Sequence, residues 1–473
     1  MTDFEKTVAG LRGQGSYFSA VLPVYVSRAP GRLDLMGGNV DYTGGLVFQA
    51  TIREATWAGV QLRNDGLIVF WNPQMRDHGW SDRVEFEMQA LSDEAAVRKL
   101  VNRSPEVRWT AYLLGVFYLL RLRYPERVTK GANVYLESDV PLNKGVSSSA
   151  AVEVSVMRAA SAAYGVELAG IELALACQWV ENVIAESACG IMDQAASVLG
   201  DEGHVLPLLC QPCAPKPLVR LPEGVQCWAI DSGVKHAVTG IEYEAARAAA
   251  FIGYRMICGW EGLPLTLDEG GRVPQFRDPR WNGYLSNVVP SVFRSKYEHR
   301  LPETLAGSEI LALGKIHPDP FTTVRPEVNY RVRACTRYAV EENQRIALFI
   351  ELARGAKEAP ANDVQSNDAF RLMGDLMFQS HWSYTECGLG CAETDLLVEL
   401  VRQECGENQL YGAKITGGGA GGTVAVLGAK GADELFRRVV ANYARARNFE
   451  PYVFEGSSMG ADRFGVRVLQ GKP

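Results

Sequence analysis

A chain of 473 residues, 47% hydrophobic and 22% charged, is long enough for two or three domains and too apolar for intrinsic disorder. Its formal charge of −7, with no clustered basic stripe, excludes an ordinary nucleic-acid partner. Glycine is in excess, with 47 residues against a usual share of about 7%, and collagen's period is absent.

Residues 1–15 carry Asp3, Glu5, Lys6 and Arg12 and no apolar core of a secretory leader. No later window reaches the roughly 18 apolar residues of a membrane span. The expectation is a cytoplasmic chain with no membrane partner and reduced thiols. Val21–Ser27 reads as a strand ended by a turn at Ala29-Pro30-Gly31, and Asn133–Glu137 as another. Pro141–Gly145 breaks the chain before a helix over Ser147–Ala163, opened by serines able to cap it. Ile171–Ala185 reads as a second helix. Strands follow at Val205–Leu209 and Cys227–Asp231. Between them, Cys210-Gln-Pro-Cys213 has CxxC spacing but no second pair to complete a zinc site, which favours a structural role.

Residues 247–326, rich in Trp, Pro and Gly, read as an irregular connection. Helices resume over Glu342–Ala356 and Asp368–Trp382. Ala413–Thr416, Thr423–Leu427 and Asp433–Ala446 read strand, strand, helix. The expected domains are 1–230 and 231–473.

Two glycine-bearing loops offer chemistry. Gly145 and Ser147-Ser148-Ser149 precede a helix, where unpaired N–H groups and the dipole favour an anion and Lys144 could add charge. An ordinary capped helix start fits the same residues. Thr416-Gly417-Gly418-Gly419-Ala420-Gly421-Gly422-Thr423 contains G-x-G-x-x-G, but the β-branched residues after it are strand-like, unlike a dinucleotide-binding turn. Nucleotide binding and a flexible hairpin both remain open.

Taken together, Arg28–Gly45 (with Arg32, Asp34, Gly37-Gly38-Asn39 and Asp41-Tyr42), Pro141–Ala151 and Lys414–Gly422 resemble, in order, the three motifs of galactokinase-like members of the GHMP kinase superfamily. Cys189-Gly190-Ile-Met-Asp193-Gln194 resembles the segment carrying that family's catalytic aspartate. The resemblance implies an α/β (α+β) fold of two lobes with the active site in their cleft, and ATP and Mg²⁺ as cofactors. By motif, Asp193 corresponds to the catalytic base and Arg32 to its charged neighbour. Ser149 and Glu181 correspond to metal ligands. Asp34, Gly38, Asn39, Asp41, Gly190 and Tyr243 correspond to the sugar site. Lys144, Gly145, Val146, Ser147, Ser148, Ser149, Gly418 and Gly419 correspond to the ATP site. Phosphoryl transfer asks for such parts: an oriented nucleophile, a hard cation on oxygen ligands, and donors around the phosphates.

One departure bears on the acceptor. Galactokinases have a glutamate, holding the sugar's 6-hydroxyl, where this chain has Gly38. Within the branch, Ala29–Tyr42, Ile52–Ala55, Lys144–Val154, Cys387–Gly390 and Phe454–Ser458 resemble the kinase domain of plant L-arabinokinases. L-Arabinose keeps galactose's arrangement at C2 to C4 and lacks the C6 group. The expected activity is therefore phosphorylation of O1 of L-arabinose, with galactose or galacturonate as alternatives. Another alternative is a sugar and ATP sensor without turnover. The expected partners are the small-molecule sugar and ATP, and the expected state a monomer or weak dimer.

Overall fold

The computed structural model describes residues 1–13, 17–234, 240–268, 275–314, 316–357, 364–406 and 409–471. Helix α1 (Asp3–Gly10) opens with a capping box, in which Glu5 N–H donates to Thr2 Oγ1 and Thr2 N–H to Glu5 Oε2. Strands β1 (Val24–Met36) and β2 (Leu46–Leu62) form a long antiparallel pair. The turn expected at Ala29–Gly31 does not end β1. The strand runs through it with a register shift between Pro30 and Arg32, an irregularity that accommodates a residue without an N–H. A Cβ on Gly31 would lie 2.6 Å from the Val146 carbonyl oxygen, so glycine lets the serine loop lie against β1.

Next come β3 (Leu67–Trp71), β4 (Arg83–Glu87), α2 (Glu94–Val101), α3 (Ala111–Arg123) and β5 (Ala132–Ser138). Helix α4 (Ser148–Ala163) packs across β1 and β2. The helix expected to reach Ala185 is α5 (Gly170–Trp179) followed by one π turn, Val180–Ile184. Helix α6 (Met192–Leu199), β6 (His204–Leu209), and the two-residue strands β7 (Ala214–Pro215) and β8 (Val219–Arg220) follow. The boundary expected at 230/231 falls inside β9 (Val225–Asp231).

Helix α7 (Ile241–Trp260) corrects the expectation of irregular structure from 247. The five alanines among residues 245–250 are strong helix formers, and the Trp, Pro and Gly content lies mostly beyond them. Short pieces fill the rest: β10 (Thr266–Asp268), β11 (Gln275–Arg277), α8 (Pro290–Val292), β12 (Leu305–Ala306), α9 (Gly307–Ala312) and β13 (Asn329–Tyr330). Helices α10 (Val332–Lys357), α11 (Val364–Cys387) and α12 (Ala392–Gln403) lead to β14 (Leu410–Ile415), β15 (Thr423–Ala429) and α13 (Asp433–Arg447). The chain then runs through β16 (Val453–Glu455), α14 (Ala461–Phe464) and β17 (Arg467–Leu469).

The largest sheet orders β17-β1-β2-β5-β3-β4, with β6 also on β2, and a second orders β14-β15-β9-β16, while β10-β11 and β12-β13 form separate two-stranded pairs. The main apolar cluster runs through the two larger sheets, from Leu33 and Phe48 to Ile230 and Val424, and a smaller one packs α1 on β1 through Phe4, Val8, Val24 and Val26. The structure is therefore of mixed α/β class, with the 416–422 loop as the β14–β15 hairpin connection. All ten cysteines are free thiols, and Cys210 and Cys213 are buried. Among the described residues no helix is long and apolar enough to cross a membrane.

Candidate active site

Four segments meet at a cavity of about 200 Å³: the end of β1, the serine loop, the start of α6 and the 416–422 hairpin. Asp193 sits in the first turn of α6. Its Oδ1 lies 2.8 Å from both Nε and Nη2 of Arg32, and its Oδ2 accepts the Ser147 hydroxyl at 2.5 Å. Arg32 is anchored in turn by Nη1 donating to Gly145 O at 2.6 Å. Both carboxylate oxygens are thus oriented by named donors, and the Asp193 side chain stays 21% exposed to the cavity.

The serines do not cap α4 as expected. Ser147 takes a left-handed backbone (φ 60°), and its hydroxyl turns to Asp193. No side chain caps the first N–H groups of α4, which leaves donors for an anionic ligand at this end. Ser148 and Ser149 also line the cavity.

Glu181 enters from the π turn, a backbone distortion common where function demands an irregular projection. Burial, reinforced by the Asp193 charge and partly offset by Ser149, pushes its carboxyl up to about 7. Gln194 Nε2 donates to Glu181 Oε2 at 2.5 Å. Two carboxylates beside a hydroxyl, one of them penalised for its charge, suit a hard divalent cation. Among the described residues no group of three His, Cys, Asp or Glu forms a closed metal cage.

Asp41 lines the cavity opposite, held by the N–H groups of Tyr42 (3.0 Å) and Met192 (3.3 Å). A Cβ on Gly190 would lie 2.0 Å from the Asp41 carboxylate, so glycine there makes room for it. Burial first, and Asp193 second, push Asp41 up to about 6. Asn39, Tyr243 and Gly418 complete this side, with Asn39 Nδ2 donating to Gly418 O at 3.1 Å.

Five residues expected at the site face elsewhere. Asp34 is fully buried and saturated by Lys414 Nζ (2.8 Å), Gly38 N–H (3.0 Å) and Gln49 Nε2 (2.6 Å). Lys144 pairs with Asp231 at 2.5 Å rather than reaching into the cavity. Val146 is buried, its carbonyl accepting from Arg32 N–H. Gly419 packs against Leu389. Gly38 lies behind the wall, where the Tyr338 hydroxyl donates to its carbonyl at 2.7 Å.

A Cβ on Gly38 would lie 1.8 Å from the Tyr384 hydroxyl, itself donating to Gly417 O at 2.7 Å. Gly38→Ala is expected to lower stability by about 1–3 kcal/mol, read as a lower Tm. Adding Tyr384→Phe should recover part of that loss, since it removes the colliding oxygen. An alanine variant as stable as the parent would contradict this packing.

A second cavity of about 210 Å³ opens beyond the serine loop, sharing Tyr112, Asn143, Ser148 and Ser149 with the first. Met75, Trp80, Trp109 and Leu136 give it an apolar, aromatic lining. Nothing local in the sequence marks Met75, Trp80, Trp109 or Leu136 as cavity lining, nor Lys414 and Tyr384 as supports. Trp80 and Trp109 stand alone in sequence, and only the fold brings them together.

The GHMP kinases N terminal domain matches residues 111–201, the galactokinase galactose-binding signature residues 16–62, and the GHMP kinases C terminal domain residues 366–445. L-arabinokinase of Arabidopsis thaliana is 34% identical over 98% of this chain, and the chain spans 48% of that relative's length. Galactokinase of Chloroflexus aggregans is 30% identical over 91% of both chains. The crystal structure of Lactococcus lactis galactokinase complexed with galactose superposes with a TM-score of 0.70 at 20% identity, covering 92% of this chain and 94% of that one. The fold, with its serine loop and glycine hairpin at one cleft, is thus that of the GHMP kinases. The chain belongs to this family, in its galactokinase-like branch.

Proposed function

We propose that the chain transfers the γ-phosphate of ATP to the anomeric hydroxyl of a sugar, and that the sugar is L-arabinose. The observation that carries the kinase reading is Asp193, oriented through both oxygens by Arg32 and Ser147 at a cavity walled opposite by Asp41. Asp193 accepts the O1 proton as O1 forms its bond to the γ-phosphorus, and the bond to the β–γ bridging oxygen breaks to release ADP. Arg32 stabilises charge on the transferring group. The uncapped start of α4 receives the phosphates and the Trp80–Trp109 cavity the base. Mg²⁺, held by Ser149 and Glu181, would neutralise phosphate charge. The first lobe is taken to end before β9, which joins the second sheet, and to regain the chain at β17, which returns to the first.

The arabinose reading draws support from Gly38, which offers no acceptor for a C6 hydroxyl, and from Tyr384, which fills the space a side chain there would need. The test is ADP release by the purified chain with ATP and Mg²⁺ across L-arabinose, galactose, galacturonate and fucose. Arabinose should give the highest kcat/KM; a clear preference for galactose would overturn the assignment.

Asp41 also predicts a pH dependence. Its carboxylate accepts hydrogen bonds from sugar hydroxyls when ionised, and its pKa is pushed up to about 6. The sugar KM should therefore rise as pH falls through that value. Asp41→Asn should raise the sugar KM and remove this trend. A sugar KM flat from pH 5 to 8 in the parent chain would count against the role.

A further inference from the structure

The stretch between α7 and α10 has no part in the chemistry above, yet it builds a pocket of its own. This pocket, of about 240 Å³, lies behind the Asp41–Gly190 wall of the catalytic cavity. Helix α7 passes both. Tyr243 lines the catalytic cavity, and Arg247 and Phe251, one and two turns further on, line the pocket behind.

Arg247 is 4% exposed and rigidly held. Its Nε and Nη2 donate to the two oxygens of Asp319 at 2.9 and 3.1 Å, while Asp319 also accepts the Thr322 hydroxyl at 2.7 Å. The guanidinium lies 5.7 Å from the Phe251 ring centre and 5.4 Å from that of Phe321, both rings of the pocket lining. Its Nη1 reaches neither Asp319 oxygen, and Tyr243 hydrogen-bonds the same guanidinium.

The surroundings define the occupant. Asp319 already balances the Arg247 charge and Asp41 adds a second carboxylate, so an anion meets no net positive field. Phe251, Phe276 and Phe321 present apolar ring surface suited to the C–H face of a sugar ring. We infer that this pocket is a second carbohydrate site, taking a neutral monosaccharide stacked on these rings beside the Arg247–Asp319 pair. Its occupant would touch the far side of the Asp41 wall, coupling it to the catalytic sugar.

Equilibrium dialysis of the full chain with radiolabelled L-arabinose, and separately D-galactose, tests this without relying on turnover. The unaltered chain should bind two equivalents of at least one sugar. Leu175→Trp, from a half-buried α5 position in the pocket lining, should leave one. So should Arg247→Met/Asp319→Leu, which removes the ion pair whole and leaves no uncompensated charge. One equivalent of each sugar in the unaltered chain, or two retained in either folded variant, would overturn the second site. The two proposals fail separately. Turnover with a single bound equivalent leaves the kinase standing and removes this pocket. A variant-sensitive second equivalent without turnover does the reverse.

Discussion

Replacing Asp193 with Asn should lower kcat by about 10²–10⁴-fold while leaving ATP and sugar affinity nearly unchanged. The substitution preserves shape. Asn Oδ1 can still accept from Arg32, and its amide can donate to the Ser147 hydroxyl, reversing that hydrogen bond without moving either group. What disappears is the capacity to take the O1 proton. Steady-state kinetics paired with calorimetric binding of ATP and sugar separate the effects. Near-normal turnover would remove Asp193 as the base, and lost binding would point to a structural role.

Lys414→Met should be among the most destabilising single changes to this chain, costing about 3–5 kcal/mol. Lys414 and Asp34 are both fully buried, 2.8 Å apart, and Lys414 also donates to Ile415 O at 2.7 Å. Removing the ammonium leaves Asp34 charged among neutral donors, with no solvent to compensate it. The ion pair ties β1 to β14 and holds Asp34 on the Gly38 N–H, so its loss loosens both loops that approach the cleft. The double variant Lys414→Met/Asp34→Asn should recover much of the loss, because the uncompensated charge is gone. Scanning calorimetry of the single and double variants decides. A single variant at least as stable as the double would falsify the account.

Much of the fold was legible because local rules govern local structure. The helices at α4 and α13 and the strands at β5 and β15 follow from periodicity, β-branching and flanking breakers, and the observed bounds differ by a few residues. Errors came where tertiary contact overrode the local signal. Pro30 and Gly31 read as a turn, but β2 pairs on both sides of the irregularity and carries β1 through it. Ser147 read as a cap, but a carboxylate 46 positions away offered its hydroxyl a charged acceptor.

The glycine excess was the plainest mark in the composition, and its clusters at 31–45 and 412–422 fall at the ends of β1 and β14, beside the cleft. The chain's own order of residues determined the family motifs, the element types and the segments that could meet a phosphate. Such features depend on neighbours a few positions apart. Which motif residues face the cavity was decided by the folded structure alone. Asp193 finds Arg32 across 161 positions, and Asp34 is withdrawn from the site by Lys414 across 380. Lys144 is claimed by Asp231, and two tryptophans distant from the motifs line the adjoining cavity. Buried charges and donors must be satisfied by whatever the fold brings within reach, and motif spacing carries no record of that partner.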